Sequence, residues 1–161
     1  MTEKEEYIHK WILEVSEQRP ELGGLSICPY ASSSKSLIVE TVIDNIVPKS
    51  EYDVIIFIVE NFLELDQIQK WVNTYNKMFP EYEFFEDCAS KETFINGVQT
   101  NNKKYNLILC QLRSKLAKVR KKLATTKYYN YWSDSYLQEI LGNDYSIIKN
   151  RDSNPSKSSD L

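Results

Sequence analysis

Six consecutive apolar residues, Val54-Ile55-Ile56-Phe57-Ile58-Val59, constrain this chain more than any other feature. A run without polar alternation has no face to offer water, so as a strand it must be covered on both sides. Its length suits a strand and falls far short of the ~20 apolar residues that cross a bilayer. Such a strand needs helices in front and behind, and the flanking sequence supplies them. Thr2-x-x-Glu5 reads as a capping box ahead of Tyr7, Ile8, Trp11, Ile12 and Val15 at helical spacing, and Pro20 stops that helix. After the run, Asn61-x-x-Glu64 reads as a cap for a helix with the stripe Leu65, Ile68, Val72, Tyr75 and Phe79, ended by Pro80.

The rest of the chain continues the alternation. Residues 36–43 are β-branched and extended, and 82–86 and 105–111 read as further strands. Asn96-Gly97 between 93–95 and 98–100 reads as a two-residue hairpin turn. Leu112, Leu116, Val119 and Leu123 define a helix with one apolar stripe, and 133–141 a last helix capped by Gly142. Residues 20–31 read as a loop. From 150 the chain is Ser, Lys, Asp and Pro with nothing to bury, which predicts a disordered tail over 150–161. The expected fold is mixed α/β: a single domain over 1–149 in which one sheet packs against helices. Within it, 53–86 is expected to form a right-handed strand–helix–strand crossover between parallel strands.

Several kinds of chemistry are excluded by what the chain lacks. It has only 4 glycines and contains no Gly-x-Gly-x-x-Gly, Walker loop, Gly-x-Ser-x-Gly or Cys-x-x-Cys. His9 is the single histidine, which removes His-rich zinc and iron sites, and no metal or cofactor is expected. Cys28, Cys88 and Cys110 are odd in number and widely spaced, so they read as reduced thiols in the cytoplasm, not as a disulfide framework. The polar, acidic start Met1-Thr2-Glu3-Lys4-Glu5-Glu6 is unlike a targeting peptide, and no membrane association is expected.

Charge is segregated along the chain. Residues 1–100 carry 18 acidic and 8 basic side chains, whereas 103–127 carry 9 Lys or Arg and no acid. Arg113, Lys115, Lys118, Arg120, Lys121 and Lys122 lie off the apolar stripe of their helix, which predicts a positive face toward solvent. That face is either solvated and paired with the protein's own acids, or it binds. Arg113, Lys118, Arg120, Lys121 and Lys122 would then hold an anionic small molecule or an acidic protein surface. Nucleic acid ranks below these, because the chain's pI is near 5.3 and dedicated binders run above pI ~9. Tyr128, Tyr129, Tyr131 and Trp132 follow the helix and read as core packing, with stacking on a base as the alternative.

Cys28 is the candidate nucleophile. A thiol attacks only when a cation or helix terminus lowers its pKa, and the local Ser26-Ile27-Cys28-Pro29 holds no charge to do so. The plainer reading is a small core side chain. Glu81 and Glu83 alternate onto one strand face, which reads as solvated. Cys28-Pro29-Tyr30-Ala31 resembles the Cys-Pro-Phe-Ala motif of an uncharacterised bacterial family. In that family a Trp-bearing helix precedes the motif and an apolar strand leads through Leu-Leu-Arg-like residues into a helix. Trp11 and Leu109-Cys110-Gln111-Leu112-Arg113 occupy those places here. The resemblance implies architecture and no activity, and it directs attention to Cys28 and Arg113. Three functions follow: a binding or adaptor domain using the basic helix, a thiol-dependent enzyme acting on an anionic substrate, or a structural subunit of an assembly.

Overall fold

In the computed structural model, residues 1–34, 36–60 and 63–148 are described. Their helices are α1 (Glu3–Ser16), α2 (Pro29–Ser33), α3 (Leu65–Met78), α4 (Arg113–Ala124) and α5 (Asp134–Leu141). Their strands are β1 (Leu37–Val42), β2 (Val54–Val59), β3 (Tyr82–Cys88), β4 (Phe94–Ile95), β5 (Val98–Gln99) and β6 (Asn106–Leu112). The main sheet has the order β1-β2-β6-β3, and the fold is mixed α/β.

All six residues of β2 are buried, as an unalternated apolar run requires. It pairs with β1 in parallel, Leu37 opposite Val54, and with β6 antiparallel, Ile56 opposite Leu109. Edge strand β3 is also antiparallel to β6. Hence β2 and β3 point the same way, as expected of the 53–86 unit, but β6 lies between them.

Alternation along the strands sorts the core into two faces. Ile55, Phe57, Phe84, Ile108 and Cys110 pack with Ile68, Val72 and Tyr75 of α3. Val54, Ile56, Ile58, Val39 and Leu107 pack with Ile8 of α1 and Leu116 of α4. Each such side chain contributes about 1.5–3 kcal/mol on burial, so the order of layers follows from β2 alone. The β1–β2 connection makes its parallel return without a helix. It lays Ile46 into the α3 side, where the Ile46 N–H donates to the Tyr75 hydroxyl at 3.2 Å.

Helix starts follow local chemistry. Thr2 Oγ1 accepts the Glu5 N–H at 3.1 Å, which is half of the expected box. For α3 the cap is Glu64, not Asn61: the Glu64 N–H donates to Gln67 Oε1 at 2.9 Å, and Asn61 lies outside the described residues. The segment 20–31 is not all loop. It holds a 3₁₀ turn at Pro20–Leu22 and ends in the first turn of α2, with Cys28 at the N-cap position and Pro29 inside the helix. Proline suits that first position because the N–H it lacks would have no helical partner.

A further cluster closes one end of the molecule. The β4–β5 hairpin turns through Asn96 (φ 48°) and Gly97 (φ 82°), the conformation an Asn-Gly pair favours. Tyr128, Tyr129 and Trp132 are buried with Val15, Leu22, Ile95, Leu137 and Leu141, so these aromatics belong to the core. The expected tail, 150–161, lies outside the described residues. Among the described residues no helix is long and apolar enough to cross a membrane.

Candidate functional site

The segment that carries Cys28 is pinned from both sides. The Cys28 N–H donates to the Val15 carbonyl at 3.1 Å, and the Tyr128 hydroxyl donates to the Ile27 carbonyl. Two residues beyond Cys28, the Tyr30 hydroxyl donates to the Asp53 carbonyl at 3.0 Å. These bonds hold the half-buried thiol over the α4 side of the sheet, at the border of an interior cavity. The cavity measures about 680 Å³ and its lining also includes Asn73 and Asn76 of α3, so the lobe at Cys28 is one part of it.

On that lobe the sheet contributes Glu83 and Asp87 of β3 and Gln111 of β6, with Glu83 directly opposite Gln111 in the register. Gln111 is 3% exposed. Its carboxamide has no hydrogen-bond partner among the described residues, and it is not sealed off from the cavity. Asp87 Oδ1 accepts the Asn102 backbone and side-chain N–H groups, both at 2.7 Å. Burial nonetheless raises the Asp87 carboxyl to about 6, with Glu86 adding to the shift. Tyr129, Trp132 and Tyr136 form an aromatic wall.

Burial also raises the Cys28 thiol. The Ala31 and Tyr30 N–H groups and the Arg120 charge oppose that rise, and the Asp87 charge adds to it. The N–H groups face the sulfur without closing a cap hydrogen bond. In the ligand-free cavity Cys28 is therefore a protonated thiol. Cys88 and Cys110 are fully buried among the α3-side residues and are pushed up to about 12 by burial, so they are inert. Among the described residues no three His, Cys, Asp or Glu side chains are grouped to hold a metal ion.

The basic helix differs from the expected solvent face. Arg120 is 4% exposed and points inward, since positions 113, 116 and 120 share one side of a helix. Its guanidinium contacts Glu83 Oε2 at 2.6 Å, Asp144 Oδ2 at 3.0 Å and the Ile140 carbonyl at 3.3 Å. Arg113 is exposed at the cavity border, and it is already engaged by Glu83 at 3.1 Å and by the Pro80 and Tyr82 carbonyls. Lys115 pairs with Asp53 at 3.5 Å. Lys118, Lys121 and Lys122 remain, exposed and without partners among the described residues. Glu83, expected on a solvated face, has a side chain only 15% exposed because the two arginines cover it.

Cys28 and Arg113 thus border one cavity, but the arginine whose charge reaches the thiol is Arg120. Sequence reasoning missed Asp87, Gln111 and Tyr136. Gln111 left a trace, as the one polar residue between Leu107-Ile108-Leu109-Cys110 and Leu112. Asp87 left none, because its setting depends on Asn102 and on the aromatic segment packing against it. Compared with protein-family models, curated proteins and solved structures, the chain matches none.

Proposed function

We propose that this protein is a cytoplasmic thiol-dependent enzyme that binds a small molecule in the cavity between the sheet and α4, with Cys28 as the reacting group. The observation that carries the reading is the shared cavity: a thiol and an unpartnered, buried carboxamide open onto one space beside a carboxyl of pKa about 6. Burial keeps the thiol protonated, so attack needs a proton acceptor, and Asp87 is ionised at neutral pH. The Asp87 carboxylate takes the Sγ proton, and the sulfur electron pair forms a bond to an electrophilic carbon of the ligand. The bond to the leaving group breaks, and that group departs with the proton returned from Asp87. The cytoplasmic setting fits three free cysteines, and the resemblance to the Cys-Pro-Phe-Ala family fits the placement of Cys28.

The test is thiol mapping in the folded protein. N-ethylmaleimide near neutral pH is expected to add once, at Cys28, with Cys88 and Cys110 labelled only after unfolding. A folded protein whose Cys28 resists the reagent, or labels no faster than Cys88, would remove the basis of the proposal.

A second reading rests on Lys118, Lys121 and Lys122, three exposed lysines at i, i+3 and i+4 with no partner among the described residues. They suit an anionic small molecule or an acidic protein surface, and they lie outside the cavity lining. Reversing all three to Glu is expected to abolish retention on a polyanion such as heparin. Unchanged retention contradicts this reading.

A further inference from the structure

Buried carboxamides normally have their hydrogen bonds filled, and this protein shows the rule beside its exception. Among the described residues three are buried: Asn101, Asn102 and Gln111. Asn101 donates to the Cys88 and Asn102 carbonyls, and its Oδ1 accepts from Thr93 and Gln99. Asn102 donates to Asp87 and to the Tyr105 carbonyl, and its Oδ1 accepts two backbone N–H groups. Gln111 has no such bond. The Gln111 amide is not sealed off from the cavity, so an occupant of that space, and no protein group among the described residues, meets it.

The charges around the cavity restrict what meets that amide. Each lining cation is already held: Arg120 by Glu83 and Asp144, Arg113 by Glu83, and Lys91 by Glu86 and Glu139. Asp87 has no counter-cation and is compensated by Asn102 alone. An incoming anion would shed its water and find no free positive partner. The Tyr129, Trp132 and Tyr136 wall offers flat ring surface instead, with the Trp132 indole N–H buried and unpartnered among the described residues.

We infer that the ligand of this cavity is a flat molecule without negative charge that presents an amide-like edge, one donor beside one acceptor, to the Gln111 carboxamide. The inference rests on the proposed Cys28 cavity and names its substrate class.

Two isosteric probes test it, benzamide (neutral) and benzoate (anionic), with ethylbenzene as a third probe lacking the polar edge. Titration is followed on the Gln111 side-chain NH₂ and Cys28 backbone signals by NMR. Benzamide is expected to bind about tenfold tighter than benzoate, the value of one retained hydrogen bond. Gln111→Met, close in volume, should weaken benzamide about tenfold and leave ethylbenzene unchanged, with ethylbenzene binding and the thermal midpoint reporting an intact fold. Should Gln111→Met fail to fold, the comparison of the three probes on the unaltered protein still decides. Benzoate binding as tightly as benzamide, benzamide binding indifferent to Gln111→Met, or no probe binding would each overturn the inference. Selective labelling of Cys28 in the same preparation separates the two levels. If Cys28 labels and benzamide fails, the ligand class is wrong and the thiol cavity stands; if Cys28 is inaccessible, the cavity reading itself fails.

Discussion

Asp87 shows how one side chain links the stability of this fold to its candidate chemistry. Burial places its carboxyl at about 6, above the ordinary value near 3.8, so the folded protein binds this proton more tightly than the unfolded chain does. Its contribution is therefore favourable below pH ~4 and is lost as pH rises through 6. A shift of this size corresponds to about 2 kcal/mol after allowing for water reaching the cavity. Asp53 and Glu86 run the other way. Burial alone would raise both, but hydrogen bonds from Ser34 and Ser36 to Asp53, and from its own backbone and Gln69 to Glu86, hold them below the usual range. The comparison must therefore be made against Asp87→Asn, which keeps an acceptor for Asn102. Urea denaturation at pH 4.5 and pH 7.5 should show the wild type losing about 2 kcal/mol relative to the variant. Parallel pH profiles would mean that Asp87 is not the buried acid described here.

At the scale of elements, α4 is fastened to the sheet and to the chain beyond α5 by Arg120 through Glu83 and Asp144. Arg120→Ala leaves Glu83 buried without its closest partner and is expected to cost about 3–5 kcal/mol in chemical denaturation. Lys121→Ala, one residue away and exposed, should stay within about 0.5 kcal/mol. Equal effects would contradict the inward placement of Arg120. The same helix shows where sequence reasoning stops. Leu116 and Leu123 mark its buried stripe by type, and β2 and α3 are equally plain because apolar side chains declare their own burial. Arginine does not. Whether position 120 faces water depends on Glu83 and Asp144, which lie 37 and 24 residues away. The α2 turn was hidden for a related reason: Cys28-Pro29 followed by serines reads as loop until Tyr30 and Ala31 are seen packed on the sheet.

Taken as a whole, the molecule is a sheet with helices on both faces, and edge strand β3 and the aromatic segment both line its cavity. The layers were legible from six residues of β2. The cavity was not, because its lining is assembled from α1, α2, α3, β2, β3, β6, α4 and α5 and depends on how they pack. Its thiol and its unpartnered amide come from segments far apart in the sequence, Cys28 and Gln111, and their juxtaposition is the central claim. Protection of Cys28 by a cavity ligand measures it most directly. The rate of iodoacetamide addition to Cys28 is followed by intact mass with and without saturating benzamide. Bound benzamide is expected to slow alkylation, because a ligand held at Gln111 occupies the space in front of the sulfur. A rate unchanged at full benzamide occupancy would place the ligand away from Cys28 and contradict it.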